Sequence, residues 1–229
     1  ENFWEMGEVG PCGPCSEIHI DLGEKCCDKK GDPNHTCQVN GDCSRFIELW
    51  NLVFIQYNRD EKGKLTTLPS KHVDTGLGLE RAVAVLQGTF SNYLTDLFIP
   101  IFEHISEITG VSWEDKKNIT SFRVIADHIR SMTFAITDGV IPSNEGRGYV
   151  IRRILRRAAR FGRNLGMEKP FIYKLVSTVV DILGETYPEI EERAQHTTII
   201  IKSEEERFNE VLDRGIELFE DLSSQYVKK

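Results

Sequence analysis

The sequence predicts an α+β protein whose first part is rich in β-structure and whose second part is helical. Before Val73, apolar residues alternate with polar ones or cluster with β-branched and aromatic residues, which is the pattern of β-strands. After Val73, apolar residues recur every three or four positions, as they do along one face of an α-helix. The 229 residues are enough for two small domains, and we place these at residues 1–112 and 113–229.

Two strands and a hairpin make up the β-rich part. Residues 16–22 alternate apolar and polar side chains, and residues 46–57 are rich in aromatic and β-branched side chains. Residues 23–44 are instead rich in Asp, Lys, Gly and Cys, so we interpret them as an insertion loop. The polar residues 60–64 predict a turn that closes a hairpin into residues 65–68.

Helices are expected from about residue 74 to the end of the chain. Gly76 and Gly78 predict a turn from strand to helix, and a first helix starts at Leu79. Apolar stripes at helical spacing then predict four more helices and a long final helix after Pro188. These stripes lie at residues 94–108, 122–136, 151–165, 171–183 and 208–222.

The charge of the chain is unevenly distributed. The net charge is −8, yet residues 118–169 carry ten Lys and Arg against four Asp and Glu, and residues 185–229 carry six against twelve. A basic segment in an acidic protein is a directed electrostatic surface, suited to a phosphate-bearing partner. No apolar run approaches the ~20 residues of a membrane span, so we expect a cytoplasmic protein without a membrane partner.

All six cysteines lie between Cys12 and Cys43. In a reducing compartment such a cluster points to a metal or to no special role, and we interpret the pair Cys12 and Cys15 as structural thiols. Four cysteines of the insertion loop, with His35 as a further imidazole, are candidate ligands of a tetrahedral zinc ion (Zn2+), although their spacing does not match a pair of C-x2-C motifs. These four are Cys26, Cys27, Cys37 and Cys43.

The segment 74–81, DTGLGLER, is the strongest candidate for a functional turn. Its acid, Asp74, is expected at the end of a strand, and its glycines would let a ligand approach the backbone closely. Arg81 falls in the first turns of the next helix and offers a planar fork of donors suited to phosphate. A glycine-rich cap beside a surface arginine would give the same pattern, so the octapeptide alone leaves both interpretations open.

The octapeptide resembles motif 3 of the class II aminoacyl-tRNA synthetases, and five further words resemble the alanyl-tRNA synthetase family of that class, in the family's order. The words are NFWEM from residue 2, GPCGPCSE from residue 10, ELWN from residue 48, VIADHIR from residue 124 and PSNEGRGY from residue 142. The resemblance runs from Asn2 to about Leu222. It implies the C-terminal part of a class II antiparallel sheet core, followed by an all-helical domain that recognises the tRNA acceptor stem.

The resemblance also implies an internal fragment. In the family, motif 1 and motif 2, with its ATP-binding arginine, precede the matching segment, and the editing domain and C-terminal module follow it. The family activates alanine with ATP and Mg2+ to alanyl-adenylate and transfers the alanyl group to tRNA(Ala), mainly by positioning reactants and stabilising phosphate charge. We expect this fragment alone to be inactive.

The resemblance assigns alanine-binding roles to four residues. Asp74 would hold the ammonium group, and Trp4 would wall the small side-chain pocket. Asn51 would contact the alanine carboxylate or the adenylate carbonyl, and Gly76 would let the substrate lie against the backbone. The competing interpretation of Asp74 is a helix N-cap, and that of Trp4 is an ordinary core tryptophan.

ATP-binding roles fall to Gly78 and Arg81, and Arg81 is the candidate catalytic residue that meets the nucleotide. Glu48 is a separate case, because strand alternation places it on the opposite face from Asn51 unless a bulge intervenes. We therefore keep Glu48 only as a candidate metal ligand.

Six arginines, with no lysine and no acid beside them, lie on the predicted helix 148–165 opposite its apolar stripe. Like charges at helical spacing weaken a helix, and RNA phosphates would compensate for them. Asn144, in the preceding loop, has an amide suited to a base edge in the shallow minor groove of an acceptor stem. The resemblance implies a G·U pair there, although a second site in this loop would serve equally. His128 flanks the region without a visible partner for acid–base work. The candidate tRNA-binding residues are Asn144, Arg147, Arg152, Arg153, Arg156, Arg157 and Arg160.

Two other functions compete with this interpretation. A non-catalytic tRNA-binding paralogue would keep the scaffold, but it would have no reason to retain the set Trp4, Asn51, Asp74 and Arg81. A zinc-dependent nucleic-acid-binding module would account for the cysteines and the arginine-rich helix. It would leave the turn at residues 74–81 unexplained.

Overall fold

The computed structural model describes residues 2–227, with side chains up to residue 224. The chain divides into two compact units, Glu1–Thr95 and Asp96–Lys229. Among the described residues, the first unit holds the whole sheet and the second holds only helices and turns, so the predicted α+β class is confirmed. The functional domain boundary at residue 112 stays a prediction.

The first unit is a four-stranded antiparallel sheet in the order β1-β2-β3-β4, followed by one helix, α1. The strands predicted at residues 16–22 and 46–57 correspond to β2 and β3, whose aromatic and β-branched residues suit an extended backbone. The elements are β1 (Phe3–Glu5), β2 (Gly10–Asp21), β3 (Phe46–Arg59), β4 (Leu65–Leu77) and α1 (Leu79–Leu86).

Helix α1 begins at Leu79 as predicted, but the strand before it ends later than the sequence predicts. β4 continues through Asp74 to Leu77 because it pairs with β3 as far as Trp50, so the prediction of helix from about residue 74 was wrong. Gly78 caps α1 with an extended backbone, and its N–H donates to the Leu49 carbonyl at 3.1 Å. Pairing with a neighbouring strand therefore carries the extended backbone through the glycine-rich segment.

Two loops of this unit follow the prediction. Residues 23–44 contain only one short 3-10 turn, Glu24–Cys26, so this segment is a loop, as predicted. The β3–β4 hairpin turns at Asp60, whose carboxylate accepts hydrogen bonds from the backbone N–H groups of Lys62 and Lys64, both at 2.9 Å.

Strand β3 contains a β-bulge. The consecutive β2 residues Ile18 and His19 pair with Trp50 and Glu48, so β3 carries one extra residue, Leu49, between its two partners. A bulge of this kind shifts the alternation of side chains by one position on the bulged strand.

The second unit is built around a central helix, α3, which packs against the other five. Phe122, Ile125 and Ile129 of α3 are fully buried, together with Phe102 and Leu155 from neighbouring helices. The helices are α2 (Ile99–Thr109), α3 (Ile119–Thr137), α4 (Gly146–Asn164), α5 (Val176–Leu183), α6 (Pro188–Glu192) and α7 (Ala194–Val227).

The predicted helices correspond to α2, α3, α4 and α5, with one difference at the end of the chain. The single final helix expected after Pro188 is interrupted at Arg193, which separates α6 from α7. Among the described helices, none combines the length and the apolar composition needed to cross a bilayer.

Candidate functional site

Three of the predicted substrate-binding residues lie on one face of the sheet. Asn51 of β3 pairs with Glu17 of β2 on one side and with Gly76 of β4 on the other, and Val53 pairs with Asp74. Residues directly opposite each other in an antiparallel pair point to the same face, and so do residues two apart on one strand. We call the face shared by Asn51, Gly76, Asp74 and Glu17 the substrate face.

The substrate face is open around Asp74. Asp74 is exposed, and no hydrogen bond or ion pair to its carboxylate is present among residues 2–224. A Cβ atom added at Gly76 would meet nothing within 4 Å. A ligand cation would therefore meet an unpaired carboxylate beside a stretch of bare backbone.

The bulge at Leu49 brings Glu48 to the substrate face as well. Glu48 pairs with His19, and His19 lies two residues from Glu17 on β2. The His19 Nε2 and the Glu17 Oε2 are 2.9 Å apart, which confirms that these two side chains share a face. Glu48 and Asn51 are thus on the same side, and the separation expected from simple alternation does not occur.

Glu17 is held as a carboxylate by two neighbours. Its hydrogen bond with His19 is the main cause that lowers its pKa, and a hydrogen bond from Asn40 adds to the effect. Sequence reasoning missed both Glu17 and His19. Their spacing of two on a predicted strand would have placed them on one face, whereas nothing in the sequence indicates the contact from Asn40.

Arg81 lies at the edge of this face, in the first turn of α1. Its Nη1 donates to the Glu48 carbonyl oxygen at 2.7 Å and lies 3.6 Å from the Glu48 Oε2. Gly78 leaves room for this approach, since a Cβ there would come within 3.3 Å of the Arg81 side chain. Nη1 serves both contacts to Glu48, so the remaining guanidinium nitrogens can meet a ligand.

Trp4 is placed elsewhere in the sheet. It lies on β1 opposite Gly13, whereas Asp74 lies on β4, at the other edge. Three strand spacings separate them, on the order of 14 Å. Gly13 is required where it stands, because a Cβ there would lie 1.9 Å from the Phe54 carbonyl oxygen. The role of Trp4 in the alanine pocket stays a prediction.

The arginines of α4 fall on two stripes that have different partners. Arg152, Arg156 and Arg163 form an inner stripe and are half-buried, whereas Arg153, Arg157 and Arg160 form an outer stripe and are exposed. Successive arginines are four and seven residues apart in the inner stripe and four and three residues apart in the outer stripe. These spacings place each set on one side of the helix.

Two acids of α7 pair with the three arginines of the inner stripe and offset most of its charge. The Arg152 Nε and the Arg156 Nη2 each lie 3.0 Å from the Glu204 Oε1, and Glu204 is only 5% exposed. Arg163 donates to Asp213 at 2.7 Å. The sequence showed no acid beside these arginines, but the fold supplies acids from a segment some fifty positions away.

The arginines of the outer stripe are exposed to solvent, and most of them have no partner within the described residues. Within the described residues, no ion pair or hydrogen bond involves Arg153 or Arg160, nor the exposed Arg147 at the start of α4. Arg157 donates to the His128 Nε2 at 3.2 Å. The sequence did not show this contact of His128.

The other ring nitrogen of His128 is also engaged. Its Nδ1 donates to the Asp127 carboxylate at 3.0 Å, and this hydrogen bond is the main cause that lowers the pKa of Asp127. The ring of His128 therefore links Asp127 to Arg157 and orients the Arg157 side chain.

The loop before α4 holds Asn144 against Arg152. The Arg152 Nη1 donates to the Asn144 side-chain oxygen, and its Nη2 donates to the Pro142 carbonyl at 3.3 Å. Gly148 permits the close fold of this loop, because a Cβ there would lie 2.2 Å from the Ile141 carbonyl oxygen. The exposed amide of Asn144 is therefore left with its nitrogen as a free donor.

Three cysteines and a histidine converge in the insertion loop. One ligand atom from each of Cys27, His35, Cys37 and Cys43 lies within 4.8 Å of all the others. Cys26 does not belong to this group, which corrects the ligand set expected from the sequence. Cys26 ends a 3-10 turn and Cys27 is already extended, so the two neighbouring side chains diverge and His35 completes the group.

Known proteins resemble the chain over its whole length. Residues 1–229 match the family model described as tRNA synthetases class II (A). The chain is 56% identical over 225 residues to a protein of Chlorobium phaeobacteroides named alanine–tRNA ligase, a match that covers 97% of this chain and 24% of that protein. A protein of the same name from Carboxydothermus hydrogenoformans is 54% identical over an alignment of 230 positions. This match covers 100% of this chain and 26% of that protein. The chain therefore spans about a quarter of the length of the curated relatives it matches.

Proposed function

The chain belongs to the class II tRNA synthetases, and we propose that it forms part of an alanine–tRNA ligase. The parent enzyme would activate alanine with ATP to alanyl-adenylate and transfer the alanyl group to tRNA(Ala). The observation that supports this proposal most is the substrate face, where Asn51, Gly76 and Asp74 lie together with Arg81 at the edge. The name shared by the relatives agrees with it.

Positioning and charge compensation supply the chemistry of the substrate face. The Asp74 carboxylate balances the ammonium group of alanine, and the Asn51 amide donates to its carboxylate. In the activation step one carboxylate oxygen attacks the α-phosphorus of ATP, and the bond to the leaving pyrophosphate breaks. Arg81 stabilises the negative charge on the phosphates with the guanidinium nitrogens that Glu48 does not engage.

In this proposal ATP binds as its Mg2+ complex, and the ion would offset the charge of the phosphates. Mg2+ prefers carboxylate and water oxygens, and Glu48 presents a partly exposed carboxylate on the substrate face beside Arg81. This donor chemistry fits a metal–nucleotide complex. Glu48 is accordingly the residue of this face that we assign to the ion.

The direct test of the proposal is alanine-dependent exchange of pyrophosphate into ATP by the natural full-length protein. We expect exchange with alanine and little with valine, because a pocket that fits a methyl group excludes larger side chains. A protein that binds tRNA(Ala) but shows no exchange with any amino acid would instead be a non-catalytic paralogue.

We further propose that the outer stripe of α4 meets the phosphates of the tRNA acceptor stem and that Asn144 reads a base edge. Arg153 and Arg160 have no acid partner in the described residues, so phosphates would compensate their charge. Arg152 is better suited to orient Asn144, and Arg156 to pair with Glu204, than to bind RNA directly. The free amide nitrogen of Asn144 would donate to an acceptor in the minor groove.

The two stripes predict different effects of salt on RNA affinity. Changing Arg153, Arg157 and Arg160 together to Gln should flatten the salt dependence of binding to an acceptor-stem minihelix by about 2–3 units of slope. The matched control is Arg156→Gln with Arg163→Gln, which should change the slope by less than about one unit, because α7 already neutralises these arginines. An equal change for both sets would place the RNA elsewhere.

In the same titration, Asn144→Ala should weaken binding to a G·U stem more than binding to a G·C stem.

We propose a cytoplasmic location for the parent enzyme. All six cysteines are free thiols, which suits a reducing compartment.

A further inference from the structure

We propose that the insertion loop binds a structural zinc ion through Cys27, His35, Cys37 and Cys43. This site lies outside the substrate face. It does not depend on the function proposed above, except for the contact with Glu17 described below.

Two distances within the group match those of a tetrahedral zinc site. The His35 Nε2 lies 3.4 Å from the Cys27 Sγ and 3.4 Å from the Cys37 Sγ. Around a zinc ion with ordinary bond lengths, a nitrogen and a sulfur at the tetrahedral angle are about 3.5 Å apart. With Cys43 the group supplies three sulfurs and one nitrogen, which is a common ligand set of structural zinc.

The second ring nitrogen of His35 is held by an acid. The His35 Nδ1 lies 3.1 Å from the Asp42 Oδ1, and the imidazole is only 6% exposed. Because Nδ1 carries the proton that Asp42 accepts, the lone pair of Nε2 points to the sulfurs. A carboxylate–histidine pair of this kind fixes the tautomer and ring orientation of zinc-bound histidines. Lys29 pairs in turn with Asp42.

Hydrogen bonds of Ser44 with Asp28 and with the Cys26 carbonyl tie the ends of the loop, but the loop has no apolar core. No residue from 22 to 45 is buried as a whole, and one 3-10 turn is the only regular element of this segment. A segment without an apolar core needs another source of folding free energy, and a four-ligand zinc site supplies it. A metal ion would therefore add to the hydrogen bonds that hold the compact path of this loop.

A zinc ion bound by three thiolates and one imidazole forms a site with a net charge of about −1. A cleft of about 230 Å3 borders the group and is lined by Cys27, His35 and Cys37, together with the basic residues Lys29 and Arg45. The cleft gives the ion a path from solvent. The thiols release their protons to solvent when the ion binds.

The loop also touches the substrate face. The side-chain nitrogen of Asn40 donates to the Glu17 Oε2 at 3.1 Å, and Glu17 pairs with Asn51 across the sheet. Asn40 adopts a left-handed backbone (φ 56°), a conformation that asparagine tolerates better than most residues. By fixing the loop, the zinc ion would keep Asn40 on Glu17.

The test compares two neighbouring cysteines in the natural full-length protein, with zinc measured by elemental mass spectrometry. Cys27→Ser should lose one zinc ion per chain relative to the wild type. Cys26→Ser is the matched control and should retain it, because Cys26 lies outside the group. When cobalt replaces zinc, thiolate-to-cobalt absorption should appear in the wild type and in Cys26→Ser and be absent from Cys27→Ser.

Two further measurements keep the proposal testable if Cys27→Ser folds poorly. Asp42→Asn keeps all four ligands and should lower zinc affinity by about 10- to 100-fold. Removal of zinc from the wild type with a chelator should speed tryptic cleavage after Lys25 and Lys30.

Three outcomes would overturn the zinc site. These are equal zinc contents in wild type and Cys27→Ser, an equal loss in Cys26→Ser, and a mass two hydrogens lower that reveals a disulfide between loop cysteines. None of these readouts requires enzymatic activity, so a failed pyrophosphate exchange would leave the zinc result unaffected.

Discussion

Replacing Asp74 with Asn is expected to cost alanine binding far more than ATP binding. The substitution keeps the shape of the side chain and removes its charge, so the ammonium group of alanine loses its counter-ion. Loss of a charge partner in a desolvated pair costs about 2–5 kcal/mol, or roughly 30- to several-thousand-fold in affinity. The measurement is the dependence of pyrophosphate exchange on alanine and on ATP in the natural full-length protein.

The structure explains why this effect should be specific to alanine. Asp74 shares the substrate face with Asn51 and Gly76, and its carboxylate has no partner among the described residues. Arg81, the candidate contact of ATP, is held separately by Glu48. Glu61→Gln, in the turn of the same hairpin, removes an equal charge and should change the binding of neither alanine nor ATP. Equal losses for alanine and ATP would show that Asp74 is only a strand residue.

Glu205 should make the stability of the helical unit depend on pH. It is 1% exposed, and burial is the main cause that raises its pKa from 4.5 to about 7, against the opposing effect of hydrogen bonds from backbone N–H groups. A carboxyl with a raised folded-state pKa contributes stability that is fully present below pH 4.5. This contribution is lost as the pH rises to about 7 and does not change further above that.

The expected size of this change is about 3 kcal/mol in the free energy of unfolding between pH 4.5 and 7.5. Glu205→Gln cannot ionise, so the variant should gain about that much relative to the wild type over the same range. The free energies are measured by urea unfolding at both pH values, and the difference between the two proteins cancels the titration of all other groups.

The matched control for this prediction is the next residue. Glu206 is exposed, so Glu206→Gln should show no such pH-dependent difference. Gln at position 205 can still accept a hydrogen bond from the N–H of Phe171 or Ile172, which the Glu205 carboxyl now receives at 3.0 and 3.1 Å. A pH-independent difference between wild type and Glu205→Gln would mean that Glu205 is ionised in the folded protein.

The sequence by itself determined the elements and the family resemblance. The long strand β3, the insertion loop and the helices of the second unit all follow from patterns within a few turns or a few strand residues of each position. Those patterns reflect local backbone preferences and the need to bury one face. The same local logic placed Asp74 and Arg81 on either side of a glycine-rich turn, although it ended the strand too early.

Tertiary structure alone decided which of these residues meet. The bulge at Leu49, which brings Glu48 to the side of Asn51, depends on how β3 registers against β2. His35, rather than Cys26, completes the group with Cys27, Cys37 and Cys43. This depends on the path of a loop that has no repeating pattern. Three of the six arginines of α4 pair with Glu204 and Asp213, because α7 packs on α4. In each case the deciding contact joins segments that are distant in sequence, and local periodicity carries no information about which distant segment will approach.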